Sequence, residues 1–209
     1  MSYRRAATAS FIAMIRSQAG PNGVRVPPSP GLVMWRLLVC GVLACGVVGC
    51  GAEPVAPAPA AVREVIDGTR WQAIPRDKDP FVSAMPAAVT TCVSSGVTVE
   101  DAMLEMDTGI CGFISATTPL TTPVAKGERV KITLWHLPLY ADPPAMGVMR
   151  IHIGGAEVWR LDVAIPHQEQ VYEPEFKAQA AWPAGTAVDV HVHNHGSNSW
   201  KVYQIKAGG

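Results

Sequence analysis

The chain has 209 residues, 48% hydrophobic and 16% charged, and its seventeen basic and seventeen acidic side chains give a formal net charge of zero. The balance is uneven: residues 1–50 hold five arginines and no acid, so the remainder carries twelve bases against seventeen acids, a net charge of about −5. A mildly acidic domain with no basic cluster excludes nucleic acid as a partner, because phosphate contacts need clustered Lys and Arg.

The first segment with a clear meaning is Met34 to Gly51, MWRLLVCGVLACGVVGCG, in which Arg36 precedes an uncharged apolar run of twelve residues, Leu37 to Val48. That length suits the h-region of a secretory signal and falls short of the ~20 residues a membrane-spanning helix needs. The run ends in Val47-Val48-Gly49-Cys50, which resembles the lipobox of bacterial lipoproteins: small or aliphatic residues, then a cysteine that is acylated and becomes the mature N-terminus. The resemblance implies lipidation at Cys50 and a cell-envelope location, with the membrane as partner through the lipid anchor. An Asp after the acylated Cys favours inner-membrane retention in some bacteria; Gly51 stands there, so the outer membrane is favoured. The alternative cleavage at Val42-Leu43-Ala44-Cys45 leaves only eight apolar residues after Arg36. Residues before Arg36 fit a signal poorly, since they contain Arg4, Arg5, Arg16, Arg25 and the run Pro27-Pro28-Ser29-Pro30, and the expected translation start is Met34. An Arg-rich, acid-poor transit peptide over Ser2 to Ser17 is the competing reading, against which the lipobox argues.

Cys40 and Cys45 leave with the signal and Cys50 takes the lipid, so Cys92 and Cys111 are the pair left in the folded region. In an oxidising compartment they read as one disulfide closing a loop of about twenty residues, a contribution of roughly 3 kcal/mol. The alternative, a thiolate metal pair, lacks any nearby CxxC partner. Residues 51–61 are a Pro/Ala tract that cannot build a core and serves as a tether. Residues 62–209 then have the length of one domain that can bury a sizeable core unaided.

Within that domain, β-branched and aromatic residues alternate with polar ones in short runs. In chain order these are Ala88 to Val93, Val97 to Met106, Ile110 to Ala116, Arg129 to Leu137, Met146 to Ile153, Ala156 to Ile165, Glu175 to Trp182, Thr186 to Asn194 and Ser199 to Lys206. Turn sequences at Lys126-Gly127-Glu128 and Pro183-Ala184-Gly185-Thr186 precede two of the strongest. Eight or nine strands without helix-length crossovers predict an all-β fold, an antiparallel β-sandwich or jelly roll. From Ile110 onward the order of aromatic and turn residues resembles jelly-roll domains of the galactose-binding-like type. That resemblance implies a non-catalytic module for carbohydrate or another ligand.

Asp189-Val-His191-Val-His193-Asn-His195 puts Val188, Val190 and Val192 on one face of a strand and Asp189, His191, His193 and His195 on the other. Two imidazoles at i and i+2 can chelate Zn or Cu, so His191 and His193 are candidate metal ligands, with His136 and His152 as additional ones. Gly185 followed by His191-Val192-His193 also resembles the opening of the cupin metal motif, but its Glu position holds Ser197 or Asn198 and no room remains for a second motif. The competing reading is of histidines hydrogen-bonded to neighbours, with no cofactor at all.

Asn194 to Trp200 reads as a hairpin loop with Gly196 at a positive-φ position. Indoles stack on sugar rings while amides and imidazoles bond hydroxyls, which makes Trp200, Asn198 and His195 a candidate sugar-contacting cluster. Trp200 shares its phase with Val202 and Gln204, so plain packing is the alternative. Lys131, Trp135, Arg150, His152, His191 and His193 would form one binding face if their strands adjoin, which adds Trp135 and His152 to the ligand-binding candidates. Asp77 and Asp79 are too few for calcium, and Glu173 and Glu175 around Pro174 are explained by surface charge. There is no GxSxG, HExxH, P-loop or dinucleotide fingerprint. The expectation is a lipid-anchored, non-enzymatic β-sandwich that binds carbohydrate or polysaccharide. A histidine-based metal-binding lipoprotein is the second reading, and a structural module that meets an envelope protein is the third.

Overall fold

The computed structural model describes residues 61–84, 92, 94–194 and 196–209. The leader with Met34 and Cys50, tether residues 51–60, most of the expected strand over 88–93, and His195 lie outside the described residues. Among the described residues twelve strands form: β1 (Arg63–Glu64), β2 (Gln72–Ala73), β3 (Val97–Glu100), β4 (Met103–Asp107), β5 (Phe113–Pro119), β6 (Arg129–His136), β7 (Ala145–Ile153), β8 (Ala156–Ile165), β9 (Gln170–Tyr172), β10 (Glu175–Lys177), β11 (Ala187–His193) and β12 (Ser199–Ala207).

They make two antiparallel sheets. One has the order β10-β6-β12-β4-β3, with β9 also on β6 and β1 also on β12; the other has the order β2-β5-β11-β7-β8. The molecule is thus the all-β sandwich that the alternation predicts. Its core is the meeting of two inner faces. Val130, Ile132 and Leu134 of β6 and Trp200, Val202 and Ile205 of β12 belong to one sheet. Ile114 of β5, Met149 and Ile151 of β7, and Val188, Val190 and Val192 of β11 belong to the other, and all are at most 1% exposed. Each such side chain contributes about 1.5–3 kcal/mol on leaving water, which is why a period of two suffices to define the fold.

Two local departures have physical causes. The run Val97 to Met106 is not one strand but the hairpin β3–β4, folded at Asp101 and Ala102, both at positive φ (52° and 60°). Two consecutive left-handed residues suit a two-residue turn between twisted strands, yet Ala carries no turn signal. In β12 the register with β6 shifts between Val202 and Gln204. The extra residue breaks the alternation, so Ile205 and Ala207 follow Val202 into the core and Gln204 does not share their side. Cys92 and Cys111 are joined by a disulfide, as the cysteine count predicts.

Candidate ligand-binding site

Strand pairing sets three rows across the outer face of the five-stranded sheet: Thr117, Asp189, His152 and Glu157; Ser115, His191, Arg150 and Arg160; Phe113, His193, Val148 and Asp162. The valines of β11 point into the core, so Asp189, His191 and His193 are forced outward. The sequence-predicted face is divided by this topology. Arg150, His152, His191 and His193 come together here, whereas Lys131 and Trp135 lie on β6, in the other sheet. Trp135 is only 6% exposed, with Tyr203 6.3 Å away between ring centroids.

The histidines are linked to one another and to the sheet. Ser115 Oγ lies 2.9 Å from His191 Nδ1, and His191 Nε2 lies 2.9 Å from His193 Nδ1, so one imidazole donates to the other. Burial, and then the neighbouring His193, pushes His191 down to about 3. His152 is also lowered, first by burial and then by the Arg150 charge. Arg150 Nε donates to Glu157, and Arg160 makes a two-pronged pair with Asp162 at 2.8 Å for each bond. Among the described residues no group of three or more His, Cys, Asp or Glu side chains is placed to hold a metal. A metal on His191 and His193 has to replace the bond between them.

A segment that sequence reasoning did not count among the site residues crosses this face. It leaves β2, where Ile74 N–H donates to Ser115 O at 2.8 Å, and passes through two single-turn helices, Arg76–Lys78 and Val82–Ala84. Between them Asp79, 7% exposed, accepts a 2.8 Å hydrogen bond from Phe81 N–H, so it acts as an internal cap rather than a calcium ligand. The Phe81 ring packs with Phe113, lies 4.8 Å from His191 and 4.3 Å from His152, and has the Arg150 guanidinium 5.5 Å from its centroid. Beside the strap an open groove of about 420 Å³ is lined by Gln72, Ala73, Ile74, Pro75, Lys78, Pro80, Thr117 and Asp189. The signal that could have found it is the Pro-flanked stretch from Pro75 to Phe81, an aromatic embedded in turn residues.

The other expected cluster dissolves. Trp200 is 0% exposed and its indole N–H donates to Asn194 Oδ1 at 3.0 Å, so it packs the core and has no ring face for a sugar. Asn198 is 3% exposed; its Oδ1 accepts from Tyr140 N–H at 2.7 Å and its Nδ2 donates to Tyr140 O at 3.1 Å, which ties two loops together. Gly196 does sit at positive φ (100°), and a Cβ there would meet Tyr140 O at 2.0 Å. His136 is 0% exposed, bonded through Nδ1 to Leu137 O at 2.8 Å and through Nε2 to the Tyr172 hydroxyl at 3.0 Å, with its titration lowered first by burial. Both its nitrogens are occupied. Glu173 pairs with Lys131 at 3.0 Å and Glu175 with Arg129 at 3.4 Å.

No family model and no curated protein matches the chain. Among solved structures it is similar to the xylan-binding module CBM15, at 8% identity over 71% of this chain and 96% of that one, TM-score 0.44. It is similar also to the CBM22-1 xylan-binding domain from Paenibacillus barcinonensis Xyn10C, at 12% identity over 74% of this chain and 97% of that one, TM-score 0.35. A third is TmCBM61 in complex with β-1,4-galactotriose, at 10% identity over 72% and 86% of the two chains, TM-score 0.31.

Proposed function

We propose that this chain is a lipid-anchored protein of the cell envelope whose β-sandwich binds a polysaccharide without transforming it. The observation that carries the reading is the groove on the five-stranded sheet. It is open to solvent rather than enclosed, so a chain longer than the groove can lie in it and extend beyond. Its volume of about 420 Å³ lies within the range of small-ligand sites. Gln72, Thr117, Asp189 and Lys78 supply an amide, a hydroxyl, a carboxylate and an ammonium group, which together donate to and accept from sugar hydroxyls. Ile74, Pro75 and Pro80 give the apolar walls on which C–H faces of a pyranose rest. The resemblance to galactose-binding-like domains in sequence pattern supports the same ligand class.

Affinity electrophoresis of the full chain through gels containing xylan, β-glucan or galactan tests the proposal. Retardation by at least one polysaccharide, lost in Asp189→Ala, is the expected result; unretarded migration in all of them contradicts it.

The anchor belongs to the same proposal. Leader and signal end at Cys50, residues 51–61 act as the tether, and the binding domain follows from 62 to the end. The lipobox-like Val47-Val48-Gly49-Cys50 supports this division. Metabolic labelling with a radioactive fatty acid should mark the wild-type protein and not Cys50→Ser; label retained in that variant overturns the assignment.

A further inference from the structure

The outer face of the five-stranded sheet carries imidazole and guanidinium groups, and the protein covers them with an apolar ring of its own. Phe81 is 1% exposed although its segment belongs to neither sheet. Beneath it, both ring nitrogens of His152 are shut off from solvent with no hydrogen-bond partner, and the nearest carboxylate oxygen, of Glu157, stands at 3.6 Å, beyond hydrogen-bond reach. A buried imidazole left unbonded is costly, so such a group calls for a state in which its bonds are made.

The attachment of the cover is equally telling. The bonds Lys78 N–H to Pro75 O, Val82 N–H to Asp79 O, Ala84 N–H to Phe81 O and Phe81 N–H to Asp79 Oδ1 all run within the segment. Among the described residues no backbone hydrogen bond joins residues 75–84 to the sheet; side chains hold it, the Phe81 ring over His152 and His191 and the Arg76 guanidinium, which donates to Cys92 Sγ at 3.4 Å. Ile74, bonded to β5, marks the fixed end before it, and after it the Cys92–Cys111 disulfide ties the chain to a point two residues ahead of β5. Pro75 and Pro80 line the open groove, which therefore stops where the segment crosses, next to Asp189 and its cross-strand neighbour His152.

We propose that Phe81–Ala84 is a displaceable strap, in which Phe81 is a built-in occupant of the sheet and a saccharide chain extending along the groove past Asp189 displaces it, while Pro75–Pro80 stay in place as the groove wall. The inference rests on the saccharide reading for the identity of the ligand, though not for the opening of the strap. Once the ring leaves, His152 and Arg150 meet sugar hydroxyls, which restores the bonds that the closed state denies His152. The closed form then lowers the apparent affinity for long chains by the fraction of molecules that are open.

Two measurements on the full chain decide the matter. Hydrogen exchange read by NMR should show the Phe81, Val82 and Ala84 amides exchanging by local opening, on the order of 100-fold faster than those of Val190 and Val192. Calorimetry with xylo-, cello- and β-1,4-galacto-oligosaccharides should show Phe81→Ala binding a hexasaccharide about 10-fold tighter than wild type, with trisaccharide affinity unchanged because a trisaccharide fits the open groove. Asp79→Ala, which keeps the ring and removes its backbone anchor, should move hexasaccharide affinity in the same direction if Phe81→Ala fails to fold. Strap amides that exchange only as slowly as those of β11, or hexasaccharide affinity unchanged or weakened in the variants, overturn the strap. If neither protein binds any oligosaccharide, the saccharide reading fails, and the exchange rates alone decide the strap.

Discussion

His191 lies in a hydrogen-bonded row and is held neutral by burial and by its neighbour His193, with its titration pushed down to about 3. His136 and His152 are lowered as well, each first by burial. In the unfolded chain all three imidazoles take up protons near pH 6.5, which the folded state refuses. Stability is therefore fully present above that value and lost as pH falls through the window toward the depressed folded values. The unfolding free energy from urea titrations should decline steadily from pH 6.5 to 4, by up to about 1.4 kcal/mol per pH unit from His191, with His136 and His152 acting in the same direction, and His191→Asn should flatten the decline. Equal free energies at both ends of the window would contradict the burial of neutral imidazoles. Trp200→Phe removes the indole bond to Asn194 and leaves a void beside Gly147, where a Cβ would meet the indole at 3.0 Å. It should cost about 2–3 kcal/mol in chemical denaturation and leave saccharide affinity of the folded fraction unchanged. Periodicity places Trp200 on a face; only packing of the second sheet decides that the face is inside.

At the scale of elements, β6, β7, β8, β11 and β12 are legible because each is long enough for several turns of the alternation, and their observed ends fall within a residue of the expected ones. The two-residue strands β1 and β2 are not legible, since pairing to neighbours distant in sequence makes them strands. The hairpin β3–β4 escapes sequence reading because Ala102 adopts a left-handed conformation (φ 60°) without being a turn former. Replacing it by Gly relieves that strain. Ala102→Gly should raise stability by about 1 kcal/mol in urea unfolding; a loss would mean that the turn is held by something other than its backbone. Cys92 and Cys111 were legible by elimination, and reduction of their disulfide should lower stability by about 3 kcal/mol through the loop it opens. The strap was not legible: neither Phe81 nor Asp79 belongs to a periodic run, and the meeting of Phe81 with β7 and β11 is a tertiary event.

The sandwich presents two outer faces with different chemistry. That of the larger sheet is laced by ion pairs, Lys131 with Glu173 of the β9–β10 loop and Lys201 with Glu105 of the neighbouring strand, at 3.0 and 2.9 Å. Pairs of this kind contribute at most about 1 kcal/mol each, so the sandwich is held by its core and those charges serve solubility. The face of the smaller sheet carries the groove, the histidine row and the strap. Sequence grouped Lys131, Trp135, Arg150, His152, His191 and His193 on one face on the condition that their strands adjoin; topology joins the last four and puts Lys131 and Trp135 in the other sheet, because adjacency of strands is not written in periodicity. The central claim is that saccharide binds at the smaller sheet. Calorimetric titration of the full chain with xylo-, cello- and galacto-oligosaccharides, beside Asp189→Ala and Lys201→Ala, tests it most directly. The account predicts saturable binding to one of these sugars, weakened at least about 10-fold by Asp189→Ala, roughly the worth of one hydrogen bond to a charged group, and untouched by Lys201→Ala. Binding that survives Asp189→Ala and is lost in Lys201→Ala, or no heat with any of the sugars, would contradict it.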